Sequence, residues 1–140
     1  MKKFLFLSMA MIMAILSLGL TACGDDNKDE PKDTKGDLVG TWKMTGSEDG
    51  YSYTSLVQFT KDGKFYNVEV WTEHGETDVD ISRGTYTVKD DVITITENYD
   101  GEVDTYSVKY QIKGDQLIVT DDGYYMTYTK AKNSEIEKYL

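Results

Sequence analysis

The chain has 140 residues, with 15 basic against 25 acidic side chains for a net charge of −10, and it holds one cysteine, one histidine and eleven tyrosines. That balance repels nucleic-acid phosphate and anionic lipid headgroups alike, so neither is an expected partner. A single cysteine excludes an internal disulfide.

Taken in chain order, the first element is a leader. Lys2 and Lys3 precede an apolar run over residues 4–20 that only Ser8, Ser17 and Gly19 interrupt. A short basic stretch followed by an apolar one has the form of a secretory signal. An uncleaved anchor is the rival, because a spanning helix needs about 20 apolar residues. The next residues decide between them. "LTAC", residues 20–23, resembles the bacterial lipobox: an aliphatic residue, two small ones, then the cysteine. The resemblance implies that residues 1–22 are a lipoprotein signal peptide, and that Cys23 carries the lipid, palmitate included, and becomes the acylated amino terminus. One acyl chain holds a protein marginally at a membrane and two or three hold it firmly. Cys23 is thus the expected membrane anchor.

Residues 23–37 follow as an acidic tether, "CGDDNKDEPKDTKGD", which carries the only proline, Pro31. Beyond the cysteine it has no aromatic or aliphatic side chain to bury, so a disordered spacer is expected. The cluster Asp25, Asp26, Asp29 and Glu30 resembles the export signal of Bacteroidota lipoproteins. That implies the outer membrane and its cell-surface face, with the periplasmic face as the alternative.

Residues 38–140 make one expected domain, and in them the apolar period is two. "LVGTWKMT" sets Leu38, Gly40, Trp42 and Met44 on one face. "YSYTSLVQFT" sets Tyr51, Tyr53, Val57 and Phe59 together, with Leu56 the exception. "TYSVKYQI" aligns Tyr106, Val108, Tyr110 and Ile112, and "YYMTYTK" aligns Tyr124, Met126 and Tyr128. Turn dipeptides separate the runs: Asp49-Gly50, Asp62-Gly63, Asp100-Gly101 and Asp122-Gly123, helped by Asp90-Asp91 and Gly114-Asp115. Eight strands are expected near 38–46, 51–60, 64–72, 83–89, 92–98, 103–113, 116–121 and 123–130. The tail "NSEIEKYL" suits one or two helical turns capped by Ser134, with Glu137 three residues on. Short antiparallel strands joined by tight turns predict an all-β, eight-stranded up-and-down barrel with a short C-terminal helical tail. A sandwich of two sheets is the rival architecture.

"LVGTWKM", "FTKDGKF" and "GTYTVKDDVITIT" resemble blocks of the lipocalin-like domain of Bacteroidota lipoproteins, opening on a Gly-x-Trp signature at Gly40 and Trp42. In that family the tryptophan plugs the closed end and an arginine of the last strand lies across it. The resemblance puts Lys130 in the arginine's place, and lysine lacks the planar fork.

Catalytic parts are sparse. His74 sits in "TEHGETDVD", read as a polar loop over residues 73–82 whose carboxylates could take a cation. A solvated loop is the simpler reading, since no zinc or EF-hand pattern is present. No nucleophile stands beside a base, so no enzyme, metal or cofactor is expected. The barrel interior instead draws on tyrosine. Tyr51, Tyr53, Tyr86, Tyr106, Tyr110, Tyr124 and Tyr128 share the inward parity of Trp42 and Phe59. They either fill the barrel solidly or wall a pocket. The third strand, "KFYNVEVWT", leaves two registers open. If Phe65 faces in, Asn67 and Glu69 enter the barrel too, and a buried Glu needs a partner or a ligand. If Tyr66 faces in, Trp71 lies outside as a contact residue.

The expected function is that of a lipid-anchored, monomeric, lipocalin-like envelope protein that encloses a small hydrophobic or amphipathic molecule. Trp42, Phe59, Glu69, Tyr86, Tyr106, Tyr110 and Tyr128 are its candidate interior residues. The alternative is a solid barrel that contacts a protein or a glycan through loops 73–82 and 98–104, as an inhibitor or an accessory in envelope assembly.

Overall fold

A period of two, broken at short intervals by residues that tolerate positive φ, leads directly to the computed structural model, which describes residues 37–140. The leader, Cys23 and the tether lie outside the described residues. Eight strands follow one another: β1 (Gly40–Glu48), β2 (Tyr51–Phe59), β3 (Lys64–Glu73), β4 (Glu76–Lys89), β5 (Val92–Tyr99), β6 (Glu102–Lys113), β7 (Gln116–Asp121) and β8 (Tyr124–Ala131). A short helix, α1 (Asn133–Glu137), ends the fold. Each strand pairs antiparallel with its neighbour in chain order. The ladder then closes where Thr41 meets Ala131 and Lys43 meets Thr129. The closed ladder is a barrel, not a sandwich.

Turn chemistry gives the barrel two unlike ends. At one end all four connections are two-residue turns: Asp49-Gly50, His74-Gly75, Asp100-Gly101 and Asp122-Gly123. Both residues of each have positive φ, from 35° at Asp49 to 87° at Gly101. That is the type I′ geometry whose twist matches the flanking strands. We call this end the mouth. The other end, the base, carries the turn over residues 60–63, Asp90-Asp91 and Gly114-Asp115.

Alternation then sorts the side chains. Trp42, Phe59, Phe65, Tyr86, Ile95 and Leu117 belong to one buried cluster inside the barrel. Phe65 therefore faces in, which selects the register that carries Asn67 and Glu69 inward. Gly84 sits opposite Phe65 and Glu97 in the ladder. A Cβ there would lie 1.8 Å from the Thr96 carbonyl oxygen, so β4 and β5 can approach this closely only at a glycine.

A second, outer cluster joins Leu56, Val68 and Ile136, with Tyr66, Val70, Ile81 and Tyr139 against it. Leu56 breaks the inward pattern of its strand because it faces out and is covered by α1. The helix is fixed to the wall by polar bonds as well. Thr41 Oγ1 donates to Asn133 Oδ1 (2.9 Å), and Lys43 Nζ donates to Glu135 Oε2 (2.8 Å). The expected Ser134 cap is not formed: Lys132 is the N-cap residue, without a side-chain bond, and Ser134 lies inside the helix.

The expected loop 73–82 is not a loop. Only His74 and Gly75 turn, and β4 runs for 14 residues from Glu76. Its first half inverts the usual code, because Val79 and Ile81 face out against Val70 and Val68 while Asp78, Asp80 and Ser82 share the inward parity. Likewise 98–104 reduces to the Asp100-Gly101 turn between β5 and β6.

Candidate functional site

The interior divides along the barrel axis. At the base, Trp42 is 1% exposed and donates from Nε1 to the Leu38 carbonyl (2.9 Å). Lys130 Nζ stands 4.4 Å from the Trp42 ring centroid and donates to the Val39 carbonyl. Lys130 thus stands as a cation over the Trp42 ring. Phe59 meets Tyr86 edge-on with centroids 5.0 Å apart and Phe65 at 5.3 Å. The Tyr86 hydroxyl donates to the Thr60 carbonyl at 2.6 Å. Of the candidate interior residues, Trp42, Phe59 and Tyr86 are therefore the plug of the closed end; Tyr110, whose N–H donates to the Asp91 carbonyl of a base turn, lies at that end too, and Tyr128 is buried in the same cluster.

Towards the mouth the inward positions turn polar. Glu69 lies between Ser55 of β2 and Asp80 of β4 in the ladder, and Asn67 between Val57 and Ser82. Ser82 Oγ donates to Glu97 Oε2 (2.7 Å), and the Tyr106 hydroxyl bonds the same carboxylate. Asn67 bonds Glu69, the Ser55 hydroxyl bonds Tyr128, and the Tyr99 hydroxyl bonds Asp80. The Trp71 indole bonds Tyr51. Hydroxyls, amides and three carboxylates thus converge above an aromatic floor. One acceptor is left over: among the described residues, Asn67 Oδ1 is buried without a hydrogen-bond partner.

Burial and crowding set the protonation of these inward groups. Desolvation pushes the Glu69 carboxyl above its ordinary range, and the neighbouring Asp80 and Glu97 carboxylates push it further, while the Asn67 bond opposes them. Burial, then Glu97, raises the Tyr106 phenol far above its usual value. Burial raises Tyr128 too, against its bond from Ser55. These phenols stay neutral and serve as donors or acceptors, not as bases.

Of the tyrosines with inward parity, Tyr86, Tyr110 and Tyr128 are buried and Tyr53 and Tyr106 half-buried, whereas Tyr51 and Tyr124 stand exposed at the mouth. The interior is not a uniform tyrosine core. Asp80, Ser82 and Glu97 belong to the polar lining and were absent from the sequence-based set. Glu97 shares the parity of Ile93 and Ile95 in "VITITEN", which is the signal that could have found it.

Outside this lining the mouth is acidic. Counting three residues to each side of every turn, Glu48 and Asp49 lie at the first tip and Glu73, Glu76 and Asp78 at the second. Asp100, Glu102 and Asp104 lie at the third, with Asp121 and Asp122 at the fourth. No lysine or arginine falls in these segments. At the base, Lys61, Lys64, Lys89 and Lys113 balance Asp62, Asp90, Asp91 and Asp115. His74 is exposed on its tip with Nδ1 3.6 Å from Glu73 Oε1. Among the described residues no group of three or more histidines, cysteines or carboxylates is placed to hold a metal ion. A shallow groove of about 380 Å³ opens at the first tip, lined by Glu48, Tyr51, Ser52 and Thr72 among others. Neither the family models nor the curated proteins compared with this chain contain a match to it.

Proposed function

We propose that this protein is a lipid-anchored envelope barrel that holds one small amphipathic molecule in the mouth half of its interior, with no catalytic step. The observation that carries the reading is the polar lining of the mouth half of the barrel. A carboxyl with raised pKa at Glu69 and an acceptor without a donor at Asn67 lie inside a barrel whose other end is sealed by apolar side chains. Buried polar groups are costly when unmet. An amine or hydroxyl on a ligand would meet them, while the rings below exclude water from its apolar part. The Gly-x-Trp resemblance to lipocalin-like domains supports the same reading. The lipobox resemblance supports the anchor at Cys23 and a place on the outer membrane, at the cell surface.

Two measurements test it. The neutral probe N-phenyl-1-naphthylamine should brighten saturably on binding and be displaced by extracted cell lipids. A double substitution, Glu69→Ala with Asn67→Leu, should weaken displacement by about tenfold or more. A probe signal that never saturates would end the carrier reading. For the anchor, radiolabelled palmitate should enter the parent and not the Cys23→Ser variant; equal labelling would remove Cys23 from that role.

A further inference from the structure

The hairpins of the mouth do not end level with one another. β6 pairs with β5 along its upper length, from Tyr99 opposite Glu102 to Val92 opposite Lys109. On its other side it pairs with β7 only from Lys109, opposite Thr120, to Lys113, opposite Gln116. Residues 102–108 therefore overhang the β7–β8 hairpin, and on that side they have no strand partner among the described residues. Along such an edge alternate residues direct N–H and C=O groups outward, a template for another strand; one of these, the Thr105 N–H, donates to the exposed Asp104 carboxylate (2.9 Å), a local bond that an incoming strand would replace.

The overhang is not protected in the usual way. Exposed edges commonly carry lysine, whereas this one carries Glu102 and Asp104, above Asp121 and Asp122 on the shorter hairpin. It is flanked by large apolar side chains in water: Val103 is 66% exposed, Tyr124 60% and Tyr125 74%. The nearest lysine on the strand, Lys109, stands at its foot. The same carboxylates would repel a second copy of this chain, and they attract a positively charged one.

We propose that the overhanging edge of β6, residues 102–108, is a strand-addition site for an extended, arginine- or lysine-rich segment of another polypeptide. Main-chain bonds to the edge would give the register. Side chains alternating along the guest would set cations against Glu102, Asp104 and Asp122 and apolar groups against Val103. The exposed rings of Tyr124 and Tyr125 suit guanidinium groups. Each mouth turn is only two residues long, so the surface is preformed and little ordering cost opposes docking. The proposal stands apart from the barrel interior and does not depend on a small ligand being held there.

The test uses Asp33–Leu140, a compact unit that contains all eight strands and both apolar clusters. A labelled peptide of alternating arginine and valine is titrated at low salt, and amide hydrogen exchange is read with and without it. The expected result is saturable binding that slows exchange over residues 102–108. Neutralising the edge with Glu102→Gln, Asp104→Asn and Asp122→Asn should weaken it by about tenfold. The same charge change at the base, Asp62→Asn, Asp90→Asn and Asp91→Asn, should leave it unchanged. A peptide N-methylated at alternate residues keeps its charge and loses its ladder bonds, so it should fail on the unaltered protein. Equal binding by that peptide, equal weakening by both charge sets, or no binding at all would each overturn the proposal.

Discussion

At the scale of single residues, the two ends of the barrel respond to substitution in opposite ways. Trp42 is almost wholly buried and anchors the closed end through its indole N–H and the cation above its ring. Trp42→Ala opens a cavity and leaves the Leu38 carbonyl without its donor. It should lower unfolding free energy by about 3–5 kcal/mol in urea melts; a loss below about 1 kcal/mol would mean that the base is sealed without it. Glu69 behaves in reverse. Its folded pKa lies above the ordinary 4.5, so the fold favours the protonated form. Its contribution is fully present below the ordinary value and is lost as pH rises through the folded pKa. Glu69→Gln keeps an acceptor for Asn67 and removes the charge. It should therefore raise the melting temperature at neutral pH, with the difference shrinking towards pH 4.5. Comparing variant with parent cancels the opposite contributions of Asp62 and Glu135, whose carboxyls are held down by the Thr60 hydroxyl and by Lys43. A melting difference independent of pH would show that Glu69 titrates normally.

At the scale of elements, the helix carries more than its length suggests. Isolated helices of this size are unstable in water, so α1 exists through Ile136, which is fully buried against Leu56 and Val68. Ile136→Ala should cost about 2–5 kcal/mol and speed amide exchange in β2 and β3 before β6 and β7; uniform exchange would mean the helix is not a separate clamp. This contact also explains what the sequence could and could not reveal. The barrel was legible because Asp-Gly turns and a period of two act locally, residue by residue. Leu56 was legible only as an anomaly, since its partner Ile136 lies far along the chain. The first half of β4 was read as a loop because the helix covers part of its outer face and the mouth half of the barrel takes polar residues inside, which reverses apolar and polar positions. Asp80 and Ser82 were lost from the site with it. The register of β3 needed one tertiary fact, Phe65 against Phe59, to decide that Glu69 enters the barrel.

At the scale of the whole molecule, charge is sorted by end. Four tips crowded with carboxylates and free of lysine and arginine face one way, and a balanced set of lysines and aspartates faces the other. Repulsion between tips acts over a barrel's width only where ions do not screen it. The screening length is about 30 Å at 0.01 M salt and about 8 Å at 0.15 M. Raising sodium chloride between those values should therefore stabilise the fold, and each kcal/mol of relieved repulsion moves the melting temperature of a domain this size by about 4–8 °C. The edge set, Glu102→Gln, Asp104→Asn and Asp122→Asn, should raise the low-salt melting temperature and flatten its salt dependence. The base set, Asp62→Asn, Asp90→Asn and Asp91→Asn, removes carboxylates that have lysines for neighbours, and it should do neither. Two sets of equal charge with equal effects would mean that only net charge matters. Different effects would mean that the mouth stores repulsion which a cationic partner relieves on docking, so that the partner binds most tightly and adds most to the melting temperature at low salt, whereas the free protein gains stability as salt is added.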